Sequence, residues 1–290
     1  MPRSIQSPFL LAAWLLMPAL VFALGCQSNR ADSGPSAAAK PTVTLASGIA
    51  GGTYHERYAV NIDEILVPWD VEARSTGGST ENLDLLVAGE VDFALAQADV
   101  LASRMEEEPD VFGDLVVAGT IADECLFIAR WVGGPVDSFD DLSNDVGERE
   151  AVINVGTSES GMAETWNYIS SLVPEQANAE IDQSDGALAL IKLQHGEVDA
   201  VAWMTDPRNG DHVLLQTVLA DDDLAFMTVN DPRLDDVLSE GTEVYDLQTI
   251  EVVGADGVEI ETLCTSALIV VGPDTSPELV REIRAAAAIR

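Results

Sequence analysis

Basic residues are scarce in this chain. Lysine and arginine together number 14 against 50 aspartates and glutamates, the net charge is −36, and the lysines are Lys40 and Lys192. Such a surface repels polyphosphate, which argues against nucleic-acid binding through a basic face and against adhesion to anionic lipid. The acidic excess fits either an ordinary solubilising surface or a salty medium, where ions screen the self-repulsion.

The usual catalytic and metal-binding patterns are missing as well. His55, His195 and His212 have no metal-ligand spacing, and the acidic runs 106–108 and 221–223 lack the alternation of a calcium loop. The sequence contains no phosphate-binding or dinucleotide glycine loop and no Gly-x-Ser-x-Gly elbow. We therefore predict a protein that is not an enzyme and that uses neither a metal nor a cofactor.

The N-terminus predicts export. Arg3 precedes an apolar run from Pro8 to Gly25, and Cys26 follows directly, as in a bacterial lipoprotein signal. We assign residues 1–25 to a signal peptide and Cys26 to lipid attachment, with plain export or an uncleaved anchor as alternatives. Residues 26–41, rich in small and polar residues, are predicted to form a flexible tether. Each alternative places the folded part outside the inner membrane, in the periplasm or another extracytoplasmic space.

The body of the chain alternates strand and helix patterns. Strand-like runs at 41–46, 71–73 and 92–96 are separated by helical spacing at 53–66 and 81–88. With 47% apolar residues the chain can build a large core. This β-α-β-α-β order predicts a parallel sheet flanked by helices.

An internal repeat predicts two similar lobes. Gly89–Asp92 recurs identically as Gly196–Asp199, and the same offset relates the leucines before each copy and the aspartates Asp99 and Asp206 after them. A coincidence within two unrelated β-α-β units is the alternative. Two such lobes would enclose a cleft at the carboxyl ends of their strands. There, turns rich in glycine and hydroxyl groups would present backbone N–H groups to an anion; they lie at 51–53, 77–80 and 157–161.

Cys125 and Cys264 remain once Cys26 is assigned to a lipid. They begin the strand-like runs 124–131 and 263–271, which bracket the second repeat as two crossings between lobes must. An oxidising compartment invites a disulfide, but antiparallel crossings would place the two strand starts at opposite ends. We therefore expect two buried free thiols, and a lobe closure that does not depend on redox state.

The segment Thr76–Asp99, which reads TGGSTENL…GEVDFALAQAD, resembles the signature of the TAXI family. These proteins are the solute receptors of one class of tripartite ATP-independent periplasmic (TRAP) transporters. The opening Gly51–Tyr54 is also similar to that family, as is the loop ending at Ser160 and Gly161. The resemblance extends from Thr42 to the C-terminus, and it leaves open whether the chain is a fragment of a longer protein.

The resemblance implies an α/β type II periplasmic-binding-protein fold, with lobe 1 at 42–128 and 266–290 and lobe 2 at 129–265. It implies capture of a small carboxylate-bearing solute, an amino-dicarboxylate or related organic acid, and delivery to TRAP membrane permease subunits. A ligand-sensing module for a signalling partner is the alternative. An amine-binding role suits Asp99 and Asp206, with helix capping as its alternative. Carried over by position, the resemblance implies ligand contacts from Thr53, Tyr54, Thr76, Gly78, Ser79, Asn82, Gln97, Asp99, Thr157, Ser160, Gly161, Met162, Trp203 and Asp206.

Overall fold

The computed structural model describes residues 39–158, 160–235, 244–255 and 257–287. The predicted signal peptide, Cys26 and nearly all of the predicted tether lie outside these ranges. Lys40–Arg290 forms one compact unit. Of the helices in the described ranges, none is long and apolar enough to cross a membrane.

Strands and helices alternate from the start of this unit, as predicted. The strands are β1 (Thr42–Ala46), β2 (Asp70–Arg74), β3 (Phe93–Gln97), β4 (Val116–Trp131), β5 (Asp145–Val146), β6 (Arg149–Glu150), β7 (Val152–Asn154), β8 (Glu180–Asp182), β9 (Ala200–Thr205), β10 (Leu224–Phe226), β11 (Asp246–Glu251) and β12 (Glu259–Val271). The α-helices are α1 (Ala59–Ile65), α2 (Ser79–Val87), α3 (Ala98–Glu107), α4 (Pro109–Phe112), α5 (Gly161–Leu172), α6 (Gly186–Gln194), α7 (Val213–Leu219) and α8 (Pro277–Ala287). A π-helical turn at Tyr54–Tyr58 leads into α1.

Two parallel half-sheets flank a central antiparallel pair. The strand order is β2-β1-β3-β12-β4-β9-β7-β8, with β10 added to β4 and β11 added to β12. β1 runs parallel to β2 and β3, and β7 runs parallel to β8 and β9. The predicted β-α-β-α-β order and its parallel sheet are therefore confirmed. Each half places its first strand between the other two, which is the symmetry that the sequence repeat predicts.

The repeated Gly-Glu-Val-Asp has the same structural role in both halves. Asp92 accepts a hydrogen bond from the backbone N–H of Thr44 in β1 at 2.7 Å, and Asp199 accepts one from Val152 in β7 at 2.8 Å. The glycine that opens each copy has a positive φ, +67° and +69°, which a glycine adopts without strain. The repeat thus fixes the helix-to-strand turn that registers the third strand of each half against the first.

Both faces of the parallel strands are covered by apolar side chains. Phe93 and Leu95 of β3 pack with α1 and α8 on one face, whereas Ala94 and Ala96 pack with α2 and α3 on the other. β9 alternates in the same way between two further clusters. Burial on both faces explains why these strands read as continuous apolar runs in the sequence.

The central strands contradict the prediction of free thiols. Cys125 lies directly opposite Cys264 in the antiparallel pair of β4 and β12, their Cα atoms are 4.0 Å apart, and the two form a disulfide. The prediction was wrong because it placed each cysteine at the start of its strand. β4 begins at Val116 and β12 at Glu259, so both cysteines lie well inside their strands and the register can pair them. The lobe boundaries at 128/129 and 265/266 fall within these two strands and stay a prediction.

Candidate functional site

A cavity of about 270 Å³ lies where the loops at the carboxyl ends of the two half-sheets meet. This is the edge at which open α/β sheets bind their ligands, because the strand-to-helix turns converge there. The cavity is lined by Gly48, Ile49, Gly52, Thr53, Tyr54, Gly77, Gly78, Ser79, Gln97, Glu124, Ser160, Gly161, Met162, Trp203, Met204 and His212.

A larger cavity of about 610 Å³ opens at the opposite edge, beside the start of β1 at Thr42 and next to Asp92. It lies at the amino ends of β1 and β3 beside the start of α8, and its described lining residues all come from 42–115 and 272–279, so the second repeat contributes nothing to it. We therefore take the smaller cavity as the candidate site.

Nine of the predicted ligand contacts line the smaller cavity and five do not. Those in its wall are Thr53, Tyr54, Gly78, Ser79, Gln97, Ser160, Gly161, Met162 and Trp203; those outside it are Thr76, Asn82, Asp99, Thr157 and Asp206. Both repeats contribute to the wall, so the structure brings residues from the two halves of the chain into one site.

Thr76 and Asn82 hold the loops behind the cavity. The backbone N–H of Gly48 donates to the Thr76 hydroxyl at 2.9 Å, and that hydroxyl hydrogen-bonds to the Asn82 side-chain oxygen. The Asn82 amide in turn donates to the backbone oxygen of Leu95 in β3 at 2.7 Å. The two side chains therefore tie the loops after β1 and β2 to the sheet, and their polar atoms are occupied by this network.

Asp99 faces away from the cavity. Its carboxylate accepts hydrogen bonds from the Thr165 hydroxyl at 2.6 Å and the Tyr245 hydroxyl at 2.8 Å, and the side chain is fully buried. Burial raises the pKa of Asp99, and the hydrogen bonds from Thr165, Tyr245 and Val100 oppose that rise. Asp99 thus joins α3 to α5 and also accepts from the backbone N–H of Val100 at 2.9 Å in the first turn of α3, and it is not placed to bind an amine in the cavity.

Asp206 and Thr157 are placed elsewhere too. Asp206 is 1% exposed and accepts from Arg208 Nε at 3.0 Å, with Arg57 Nη1 at 3.6 Å. It also accepts from the backbone N–H of Arg208, so it caps a turn rather than a helix. Thr157 is exposed on the loop before α5. Neither side chain is positioned to bind a solute in the cavity.

Unpaired hydrogen-bonding groups converge on the cavity. Gln97 Nε2, Trp203 Nε1 and His212 Nδ1 are buried, and none has a hydrogen-bond partner among the residues that the structure describes. An unpaired buried donor costs about 1–3 kcal/mol, which a bound acceptor would recover. Burial lowers the pKa of His212, so its ring is neutral at neutral pH.

Two helices direct their N-termini at the same space. α2 begins at Ser79 and α5 begins at Gly161, and both residues line the cavity. The first backbone N–H groups of a helix have no partner within the helix and carry a partial positive charge. Ser160 caps α5 by accepting from Ala163 N at 3.3 Å, which fixes that end. The pair of N-termini therefore provides a positive field, although no lysine or arginine lines the cavity in the part of the chain that the structure describes.

Glu124 is the residue that sequence reasoning missed. It lies in β4 next to Cys125, is 4% exposed, and accepts a hydrogen bond from the Tyr54 hydroxyl at 2.9 Å. Burial raises the pKa of Glu124 to about 8; the Tyr54 hydrogen bond lowers it, and the charges of Asp99 and Asp206 raise it further. The sequence did contain a signal for Glu124, because this acidic residue stands at the start of an otherwise apolar, strand-like run.

Glu124 should make the protein less stable as the pH rises. Its folded pKa, about 8, lies above the ordinary 4.5, so between these values the folded protein keeps a proton that the unfolded chain has released. The free energy of unfolding should fall through that window by up to about 1.4 kcal/mol per pH unit from this group. Urea unfolding of the wild type and Glu124→Gln at pH 5 and pH 8 measures it. Parallel pH dependences in the two proteins would exclude the effect.

Solved structures of similar fold support the architecture. Tv2483 bound to L-arginine matches with a TM-score of 0.52 and 10% identity, covering 85% of this chain and 84% of that one. The GluR0 ligand-binding core from Nostoc punctiforme with L-glutamate matches with a TM-score of 0.51 and 13% identity, covering 85% and 91%. A putative L-cystine ABC transporter from Listeria monocytogenes matches with a TM-score of 0.50 and 16% identity, covering 86% and 89%. The chain therefore has a mixed α/β periplasmic-binding-protein-like fold, as predicted.

Sequence comparison gives the family. No protein of curated function matches the chain. The sequence profile of the NMT1-like family matches residues 45–287, which is nearly all of the described part. This protein therefore belongs to the NMT1-like family.

Proposed function

We propose that this protein is an extracytoplasmic receptor that captures a small carboxylate-bearing solute between its two lobes and delivers it to a TRAP-type permease. The observation that carries the proposal is the pair of buried, unpartnered donors, Gln97 Nε2 and Trp203 Nε1, in one cavity with two helix N-termini. These groups suit a carboxylate, because they supply N–H donors and a positive field at a site where none of the described lining residues is a lysine or arginine.

The cavity has the size of an amino acid or small organic acid. Its 270 Å³ corresponds to the volume of about nine waters in the liquid. The fold matches proteins whose structures contain L-arginine and L-glutamate, which favours an amino-acid-type solute. The resemblance of residues 76–99 to the TAXI signature supports delivery to a TRAP permease in particular.

An extracytoplasmic location agrees with the disulfide. A bond between Cys125 and Cys264 persists in an oxidising compartment such as the periplasm. The predicted signal peptide and lipidation of Cys26 would tether the receptor to the membrane through residues 26–41.

A thermal-shift screen tests the binding function. L-amino acids and small organic acids are offered one at a time, and a solute present at 100 times its Kd should stabilise the folded protein by about 2.7 kcal/mol. The matched control is Ser79→Ala, which alters the cavity wall and should reduce the shift. A complete screen without any shift would contradict the proposal.

The gene neighbourhood tests the transport role separately. A TRAP permease gene beside this one would support transport, whereas a sensor-kinase gene in that place would contradict a role in transport.

A further inference from the structure

We infer that Glu124 selects the solute by binding a positively charged nitrogen, so that the solute is an amine-bearing monocarboxylate and not a dicarboxylate. This inference rests on the proposed binding function and names the class of solute that the cavity takes. It also narrows the class implied by the resemblance, which includes amino-dicarboxylates.

The charges in the cavity wall favour a cation beside the carboxylate. Glu124 is the one acidic side chain among the described residues that line the cavity, and no lysine or arginine among them lines it. A solute with two carboxylates would place its second charge without a basic partner among the described lining residues. Removing an unpaired charge from water is far more costly than pairing it, so the second carboxylate is rejected.

The nearby arginines are already committed. Arg57 and Arg208 both pair with Asp206, which is 1% exposed, and neither lines the cavity. Moving either guanidinium to a ligand carboxylate would weaken the pairing of a buried acid. The residues that line the cavity must therefore balance the net charge of a bound solute without help from these arginines.

Glu124 has a free acceptor for an ammonium group. Its Oε2 accepts from the Tyr54 hydroxyl at 2.9 Å, while Oε1 has no hydrogen-bond partner in the described ranges. The side chain is held on β4, beside the disulfide of Cys125, so its position is fixed by the sheet. A charge-assisted hydrogen bond from an ammonium to a positioned, desolvated carboxylate is among the strongest polar contacts in proteins.

The rest of the wall suits the other parts of such a solute. Trp203 is stacked against His212, at 6.0 Å, and against Phe127, at 5.8 Å between ring centroids, and its buried Nε1 has no hydrogen-bond partner among the described residues. Together with Gln97 Nε2 this N–H group suits a carboxylate. Met162 and Met204 also line the cavity, and they suit a mainly apolar side chain.

Amine binding should release a proton. The pKa of Glu124 in the empty cavity is about 8, so at pH 7 most molecules carry the proton on this carboxyl group. The titratable groups that act on it are Tyr54 from the turn after β1, Asp99 from α3 and Asp206 after β9. An ammonium can pair with Glu124 only when the carboxyl is ionised, so the proton leaves to the buffer as the amine binds.

Matched pairs of compounds test the inference by isothermal titration calorimetry. L-leucine is compared with 4-methylpentanoate, which is the same molecule without its ammonium, and L-glutamate is compared with glutarate. We expect L-leucine to bind at least tenfold more tightly than 4-methylpentanoate and than L-glutamate. Glu124→Gln should weaken L-leucine binding at least tenfold and leave 4-methylpentanoate unchanged. The control Asp123→Asn, at the exposed neighbouring position on β4, should change neither.

A second readout uses only the wild type, so it does not depend on the folding of the variant. Titrating L-leucine at pH 7 in two buffers of different ionisation enthalpy should show release of a proton. Equal or tighter binding of the deaminated compounds would overturn the role of Glu124 while leaving the receptor function intact. L-leucine binding without proton release would overturn it too. Failure of both L-leucine and L-glutamate to bind, while a solute without an amine stabilises the protein in the thermal-shift screen, would overturn the inference alone; the proposed function falls with it only if the complete screen shows no shift.

Discussion

Replacing Cys125 and Cys264 together by alanine should lower the free energy of unfolding by about 4 kcal/mol. The disulfide closes a loop with a sequence separation of 139, and closing a loop of that length in the unfolded chain removes chain entropy worth about 4–5 kcal/mol. Both side chains are buried in one apolar cluster, where alanine fits but loses some contacts. Urea unfolding under oxidising conditions measures the change.

Reductant provides the matching control for this prediction. It should destabilise the wild type by a similar amount and leave the double alanine variant unaffected. A loss below about 1 kcal/mol would mean that the central strands hold their register without the bond, since 2–5 kcal/mol is typical of removing a native disulfide. The radius of gyration from solution scattering, with and without an amino acid in reducing and oxidising buffer, then tests the earlier expectation that closure is independent of redox state.

Gly161→Val should weaken solute binding about tenfold to a hundredfold while the protein still folds. A Cβ atom at this position would lie 1.8 Å from Gln97 Oε1 and 3.5 Å from Ser79 Oγ, across the cavity. Gln97 is buried, so its side chain cannot move away without leaving its place in the wall. Overpacking of this kind costs about 1–3 kcal/mol, and every 1.4 kcal/mol is a factor of ten in affinity.

The backbone at Gly161 does not itself require glycine. Gly161 has no positive φ and begins α5, so valine adds strain only where the two halves of the cavity approach each other. Gly272→Val is the matched control, because the nearest atom to its added Cβ is 4.0 Å away and it lies outside the cavity. Titration of both variants with the tightest-binding amino acid would contradict the account if their affinities fell equally or not at all.

The sequence predicted the scaffold because its signals are local. The helix–turn–strand repeat at Gly89–Asp92 and Gly196–Asp199 depends on a glycine turn and on an aspartate that binds the first strand of its half, and both residues are visible within one four-residue motif. The glycine-rich loops before α2 and α5 could be placed at one sheet edge by the same logic, since parallel strands share their carboxyl ends.

The predictions from sequence failed where contacts between residues far apart in the chain determine the structure. Tyr245 hydrogen-bonds to Asp99 across 146 residues of sequence, and that contact turns a candidate ligand residue into a buried connection between helices. The pairing of Cys125 with Cys264 depends on how far each strand extends, which its partners in the sheet determine. Glu124 could be seen as an acid in an apolar run, but its direction into the cavity follows only from the register of β4.

A crystal structure of the protein with its tightest-binding amino acid tests the central claim most directly. The account predicts the solute in the cavity between the two half-sheets, with its carboxylate at the N-termini of α2 and α5 and near Gln97 Nε2 and Trp203 Nε1. Its nitrogen should lie within hydrogen-bond distance of Glu124. A solute bound in the cavity beside Thr42, with the space around Gln97 empty, would contradict it.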